Sequence, residues 1–140
     1  MQITLDLPQV FHPASSRSED AAILRSLLDT LIRANLVYLQ RRPKTPPLYK
    51  AGVVYGRTEV WDSIPALYGR RYGDCKSLSA ARIAELLIAG VDAQPVFRWV
   101  RRSDGAKDFH ILVQTYSGFE DPSRKLGMGK NENAYFRRRA

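Results

Sequence analysis

The run from Arg70 to Gly90 constrains this chain more than any other. Arg70-Arg71-Tyr72-Gly73-Asp74-Cys75-Lys76-Ser77-Leu78-Ser79 leads into Ala80-Ala81-Arg82-Ile83-Ala84-Glu85-Leu86-Leu87-Ile88-Ala89-Gly90. Leu78, Ala81, Ile83, Leu86 and Leu87 form an apolar stripe at roughly helical spacing, while Gly73-Asp74 reads as the end of a loop. Cys75 is therefore predicted in the first turn of a helix that Gly90 stops. It is the only cysteine in the chain. Unpaired N–H groups and partial positive charge at a helix start favour a thiolate, the nucleophilic form, and the same N–H groups can hold a developing oxyanion. A lone buried cysteine is ordinarily inert packing, so its meaning depends on what the rest of the chain brings to it.

A length of 140 residues suits one domain, 1–140, with a core at about 18–123. The segment 127–140 reads as a basic, poorly ordered tail. One cysteine excludes an internal disulfide, and the absence of Cys/His clusters argues against a zinc site, so neither metal nor cofactor is expected. Met1-Gln2-Ile3-Thr4-Leu5-Asp6-Leu7-Pro8 lacks the basic flank and long apolar run of a secretory signal, and nothing later reaches membrane-spanning length. A soluble cytoplasmic protein with no membrane partner is the expectation. The 22 Lys and Arg against 14 Asp and Glu give a net charge of +8, which favours encounter with acidic proteins or nucleic acid. Nucleic-acid binding is disfavoured, because no motif and no aromatic-basic ladder is present beyond Tyr135-Phe136-Arg137.

Along the chain, Ile3, Leu5 and Leu7 alternate with Thr4 and Asp6, which predicts a short strand ended by Pro8. Ser16 and Glu19 form a capping box ahead of the stripe Ile23, Leu24, Leu27, Leu28, Leu31 and Ile32, predicting a helix to about Gln40. Pro43, Pro46 and Pro47 break it into an extended loop, and Leu48 to Thr58 reads as irregular. Asp62 or Ser63 then caps a short helix through about Tyr68. Beyond Gly90, Val91 to Val100 and Asp108 to Tyr116 read as strands joined by a hairpin turn at Ser103-Asp104-Gly105-Ala106, and Phe119-Glu120-Asp121 starts a third strand before Pro122.

His110, one of two histidines, falls within the second of these strands. A histidine in a strand is commonly a satisfied structural residue. On the inner face of a sheet packed against the cysteine helix, it would meet the thiol. Asp121, just past a tight turn on the neighbouring strand, would reach the far ring nitrogen, fix the tautomer and stabilise imidazolium. The order Cys, His, Asp is that of a nucleophilic acyl-transfer site. Asp108 and Glu120 are the competing carboxylates, and side-chain alternation aims Glu120 away.

Gly73-Asp74-Cys75-Lys76 with its Ala-rich helix, Phe109-His110-Ile111, and Glu120-Asp121-Pro122-Ser123 together resemble the transglutaminase-like domain, a papain-related cysteine fold of bacterial or phage type. The resemblance covers roughly Glu59 to Ser123, and Trp61 and Pro65 resemble an element that precedes the cysteine in bacterial members. It implies an α+β domain in which helices pack against an antiparallel sheet, with a papain/transglutaminase-like core and the nucleophile at a helix N-terminus. It implies Cys75 as nucleophile, His110 as general base and then acid, and Asp121 as the orienting carboxylate. The Cys75 N–H would be one oxyanion donor and Trp61 a second, with Tyr72 and Asp74 lining the site. Ser77 replaces an acidic residue common in relatives, and Leu112 and Val113 stand where an aromatic usually follows the histidine. Both departures bear on substrate preference.

The implied function is cysteine-dependent acyl transfer on an amide through a thioester, as a peptidase or amidase acting on a protein or peptide. Amine transfer of the transglutaminase type is the alternative, as is a non-catalytic interaction module that holds an acidic partner. The arylamine acetyltransferases share the triad order but are much longer.

Overall fold

The structure, a computed structural model, describes residues 1–101, 103–104 and 107–129. Its organising element is the helix predicted from the Arg70 to Gly90 run, here α3, Cys75–Ile88. Asp74 caps it by accepting the Lys76 N–H at 3.1 Å, and Gly90, at φ +81°, ends it where Val91 N–H returns to Leu86 O at 2.8 Å. Left-handed backbone of this kind suits glycine because a Cβ is penalised there. The first three turns of α3 are buried almost all round, from Cys75 through Ala81 and again at Ile83 and Ala84. Ala and Ser dominate that stretch, and small side chains let other elements approach the helix from several sides.

The other elements pack around α3. Helix α1, Arg17–Arg41, starts at Ser16, whose Oγ accepts the Glu19 N–H at 3.1 Å, as the capping box predicts. A single 3₁₀ turn at Leu48–Lys50 and helix α2, Ile64–Arg70, cover another side. Ser63 occupies the α2 N-cap position, with Pro65 in the first turn, and the helix ends at Arg71 in the left-handed region at φ 71°. Two short strands, β1 (Val54–Tyr55) and β2 (Tyr72–Gly73), pair in parallel, so Leu48 to Thr58 is less irregular than expected. The main sheet is antiparallel, with β3 (Ala93–Arg101), β4 (Lys107–Thr115) and β5 (Gly118–Glu120) in sequential order. A four-residue helix α4, Pro122–Lys125, follows.

Two apolar cores share α3. Leu28 and Ile32 of α1, Cys75, Ala80 and Ile83 of α3, Ala93 of β3, and Ile111 and Val113 of β4 form one. Leu48, Val53, Ile64 and Leu67 meet Leu78 and Ala81 in the other. The architecture is α+β. No helix among the described residues is long and apolar enough to cross a membrane.

Several expectations are corrected. Residues 1–7 form no strand, because no described strand lies beside them to take their backbone groups; Ile3 and Leu5 stay exposed. The packed region extends beyond 18–123 at both ends. Phe11 stacks on Phe109 at 5.7 Å between ring centroids, and Met128 is buried with its N–H bonded to Ser123 O at 2.9 Å. The tail from 130 onward, and Gly105-Ala106 of the predicted hairpin turn, lie outside the described residues.

Candidate active site

Strand register and strand length together build the site. Val113 of β4 pairs with Glu120, the last residue of β5. Ile111 presents its backbone groups on that same edge of β4, beyond the end of β5, where no described strand takes them. Helix α3 takes that place. Ser79 Oγ donates to Ile111 O at 3.3 Å, and the Ile111 N–H acts on the Cys75 sulfur, favouring its charged form. That N–H belongs to the peptide joining His110 to Ile111, so the thiol lies beside the backbone of the residue predicted as its base.

His110 is buried, and its Nε2 lies 3.0 Å from Asp121 Oδ2. Asp121 is the N-cap of α4 rather than a residue of the third strand, and its Oδ1 accepts the Arg124 N–H at 3.2 Å. Burial alone would raise the Asp121 carboxyl. The hydrogen bond and charge of His110, then the Arg124 N–H and Arg98, outweigh it and hold the carboxyl below its ordinary range. Arg98 stands opposite His110 on β3, a role that nothing in the sequence reading foresaw.

The expected face of His110 is corrected. Ile111 and Val113, not His110, enter the core with Cys75, so alternation turns His110 to the other side of β4. The Ile111 N–H thus faces the sulfur, while the imidazole is turned to Asp121.

The expectation of a resting thiolate is also corrected. Burial, followed by the Asp74 carboxylate, pushes the Cys75 thiol up to about 12; Lys76 and the Ile111 N–H pull the other way, and Asp121 adds to the rise. Cys75 retains only 8% of its surface exposed. Desolvation outweighs the helix start here, and the thiol is protonated at neutral pH.

Trp61 is half-buried against the core that contains Cys75, with Lys76 Nζ 5.8 Å from its ring centroid. Lys76 itself is buried, forms an ion pair with Asp74, and donates to Thr58 O at 3.1 Å. Asp74 is raised by its own burial, against the pull of Lys76. Tyr72 is 39% exposed and packs over Gly56 and beside Arg70; no described contact brings it to Cys75. Of the competing carboxylates, Asp108 accepts the Phe109 N–H at 2.9 Å, and Glu120 turns to α3, where Arg82 Nε reaches it at 2.6 Å and Tyr49 donates to it.

Three supporting residues were missed by the sequence reading. Asn35 Oδ1 accepts the Ile64 N–H at 2.8 Å, Ser77 Oγ accepts the Asp62 N–H at 2.8 Å, and Arg82 joins α3 to Glu120. Asn35 carried a signal: it continues the buried line Leu24, Leu28, Ile32 as a polar residue at a core position. No family model, curated protein or solved structure matches the chain.

Proposed function

We propose that the protein is a transglutaminase-like, papain-related cysteine enzyme that hydrolyses an amide of a protein or peptide substrate. The observation that carries this reading is the buried His110–Asp121 pair at 3.0 Å, one peptide bond from the N–H that faces the sulfur at the start of α3. Because the resting thiol is neutral, Cys75 transfers its proton to His110 as Sγ attacks the amide carbonyl. The oxyanion forms beside the Cys75 N–H at the helix start, with Trp61 as a candidate second donor. His110 then protonates the departing amine, leaving a thioester. Water, deprotonated by His110, cleaves the thioester and restores the thiol. Asp121 orients the imidazole throughout and stabilises the imidazolium each time it forms.

The test is acylation by p-nitrophenyl acetate, followed by intact mass and release of nitrophenolate. An acetyl adduct on Cys75 that turns over, slows sharply in His110→Ala and vanishes in Cys75→Ala is the expected result. Adduct formation at equal rate in His110→Ala would overturn the mechanism. Incorporation of dansylcadaverine into casein would redirect the reading to amine transfer. The burial of Cys75 favours a second reading, a non-catalytic module that holds an acidic partner, and that module leaves the thiol unacylated.

A further inference from the structure

A groove of about 610 Å3 lies at the other end of α3 from Cys75. Arg82 is the first α3 residue to line it, seven residues beyond Cys75, so at 1.5 Å rise per residue the groove begins roughly 10 Å along the helix from the nucleophile and reaches Ile88 about 20 Å along it. Leu36 and Leu39 of α1, Leu87 and Ile88 of α3, and Pro46 and Pro47 supply its apolar walls. Ile88 remains 45% exposed, so its side chain is open to a molecule lying in the groove.

The groove is held open by its own framework. Tyr68 Oη donates to Pro46 O at 2.9 Å, and Glu85 accepts the Leu48 N–H, pinning the C-terminal end of the proline loop. A preformed wall loses little conformational freedom when something binds against it. The ionic groups beneath it neutralise one another: Arg82 pairs with Glu85 at 3.2 Å and with Glu120 at 2.6 Å, and Lys125 lies 3.7 Å from Glu120. Arg42 at the rim differs. Its guanidinium stacks 4.5 Å from the Tyr38 ring centroid, and no carboxylate among the described residues pairs with it. Arg41 and Lys44 flank it, on a chain of net charge +8. The groove thus offers apolar walls and a positioned, unneutralised cation.

We propose that this groove docks a short peptide segment of an acidic partner protein, whose leucine-like side chains fill the walls while a carboxylate pairs with Arg42. The volume suits several side chains, and the charge complements such a segment and repels a basic one. This inference is independent of the acyl-transfer reading, so Cys75→Ala leaves the binding unchanged.

The experiment titrates the full chain, methyl-labelled, with an acetylated and amidated peptide repeating Asp-Leu-Leu, and with the same peptide carrying Lys for Asp. Saturable shifts at Leu36, Leu87 and Ile88 with the acidic peptide, about fivefold weaker in Arg42→Ala and absent with the lysine peptide, are expected. Ile88→Asp should abolish binding while leaving the protein's thermal midpoint little changed, because Ile88 is exposed. Unmoved groove methyls, or equal binding of both peptides, would overturn the proposal. Concentration-dependent dimerisation in sedimentation that Ile88→Asp removes would also overturn it, by assigning the groove to a second copy.

Discussion

The Asp121 carboxylate divides its oxygens between two tasks: Oδ2 lies 3.0 Å from His110 Nε2, and Oδ1 accepts the Arg124 N–H at 3.2 Å. One side chain thus caps α4 and holds the imidazole, so the helix cap fixes the direction from which His110 is approached.

Asp121→Asn is expected to remove the charge while keeping the cap, at a cost of about 1–2 kcal/mol at neutral pH, the usual worth of a charge-assisted hydrogen bond. The Asp121 carboxyl is held below its ordinary range, so its stabilising contribution is present above about pH 4 and fades as pH falls through the folded-state value. Urea unfolding from pH 2 to 6 should show a shallower acid limb in the variant. Parallel curves for the two proteins would show that the pair adds nothing to stability.

The buried thiol has the opposite dependence. With Cys75 pushed up to about 12, folding is unaffected below the free-thiol value of about 8.5, and stability is lost as pH rises from there toward the folded value. Tyr49 and Tyr68, both raised chiefly by burial, add further loss above about pH 10. Cys75→Ala should therefore flatten the first part of the alkaline limb and leave the tyrosine part intact. Identical limbs from pH 8 to 10 would mean that the thiol ionises as readily folded as unfolded.

Glycine at position 73 is required by crowding. An added Cβ would lie 2.6 Å from Leu67 Cδ1 and 3.4 Å from Ser77 Cβ, between α2 and the first turn of α3. Leu67 is fully buried, so displacing its Cδ1 disturbs the core packed around it. Gly73→Ala should cost about 1–3 kcal/mol by overpacking, measured as a lower urea midpoint. An unchanged midpoint would mean that α2 slides away from α3 at no cost.

The parts of this fold that were readable in advance are those that local chemistry dictates. Ser16-x-x-Glu19 marks the start of α1, Asp74 and Gly90 bracket α3, and the strand segments follow their alternation. Ile3, Leu5 and Leu7 alternate as well as any strand, but pairing needs a neighbour, which local alternation does not record. The approach of His110 depended on which face of β4 meets α3, and both faces are apolar around it: Ile111 and Val113 on one side, Leu112 on the other. The thiol's ionisation was misjudged for a related reason. The helix start is a local feature of sequence, whereas the burial that outweighs it is produced by α1, β3 and β4 together.

Arg82 links the nucleophile's helix to the orienting carboxylate. Cys75, Ser79 and Arg82 recur at i, i+4 and i+7, so they share one face of α3. Along that face they meet, in turn, the Ile111 N–H, the Ile111 carbonyl and Glu120, the residue before Asp121. Arg82 contacts both Glu120 oxygens, at 2.6 and 3.3 Å, a two-point grip that a lysine cannot reproduce. Glu120 is raised by burial, but Arg82 and then Tyr49 reverse that shift and keep it ionised. Arg82→Lys should therefore cost about 1 kcal/mol in urea unfolding, and Glu120→Gln a similar amount. If the grip also sets where Asp121 stands, both variants slow Cys75 acylation beyond what their lost stability explains, and the double variant is no slower than either single one. Additive losses would instead assign Arg82 and Glu120 to stability alone.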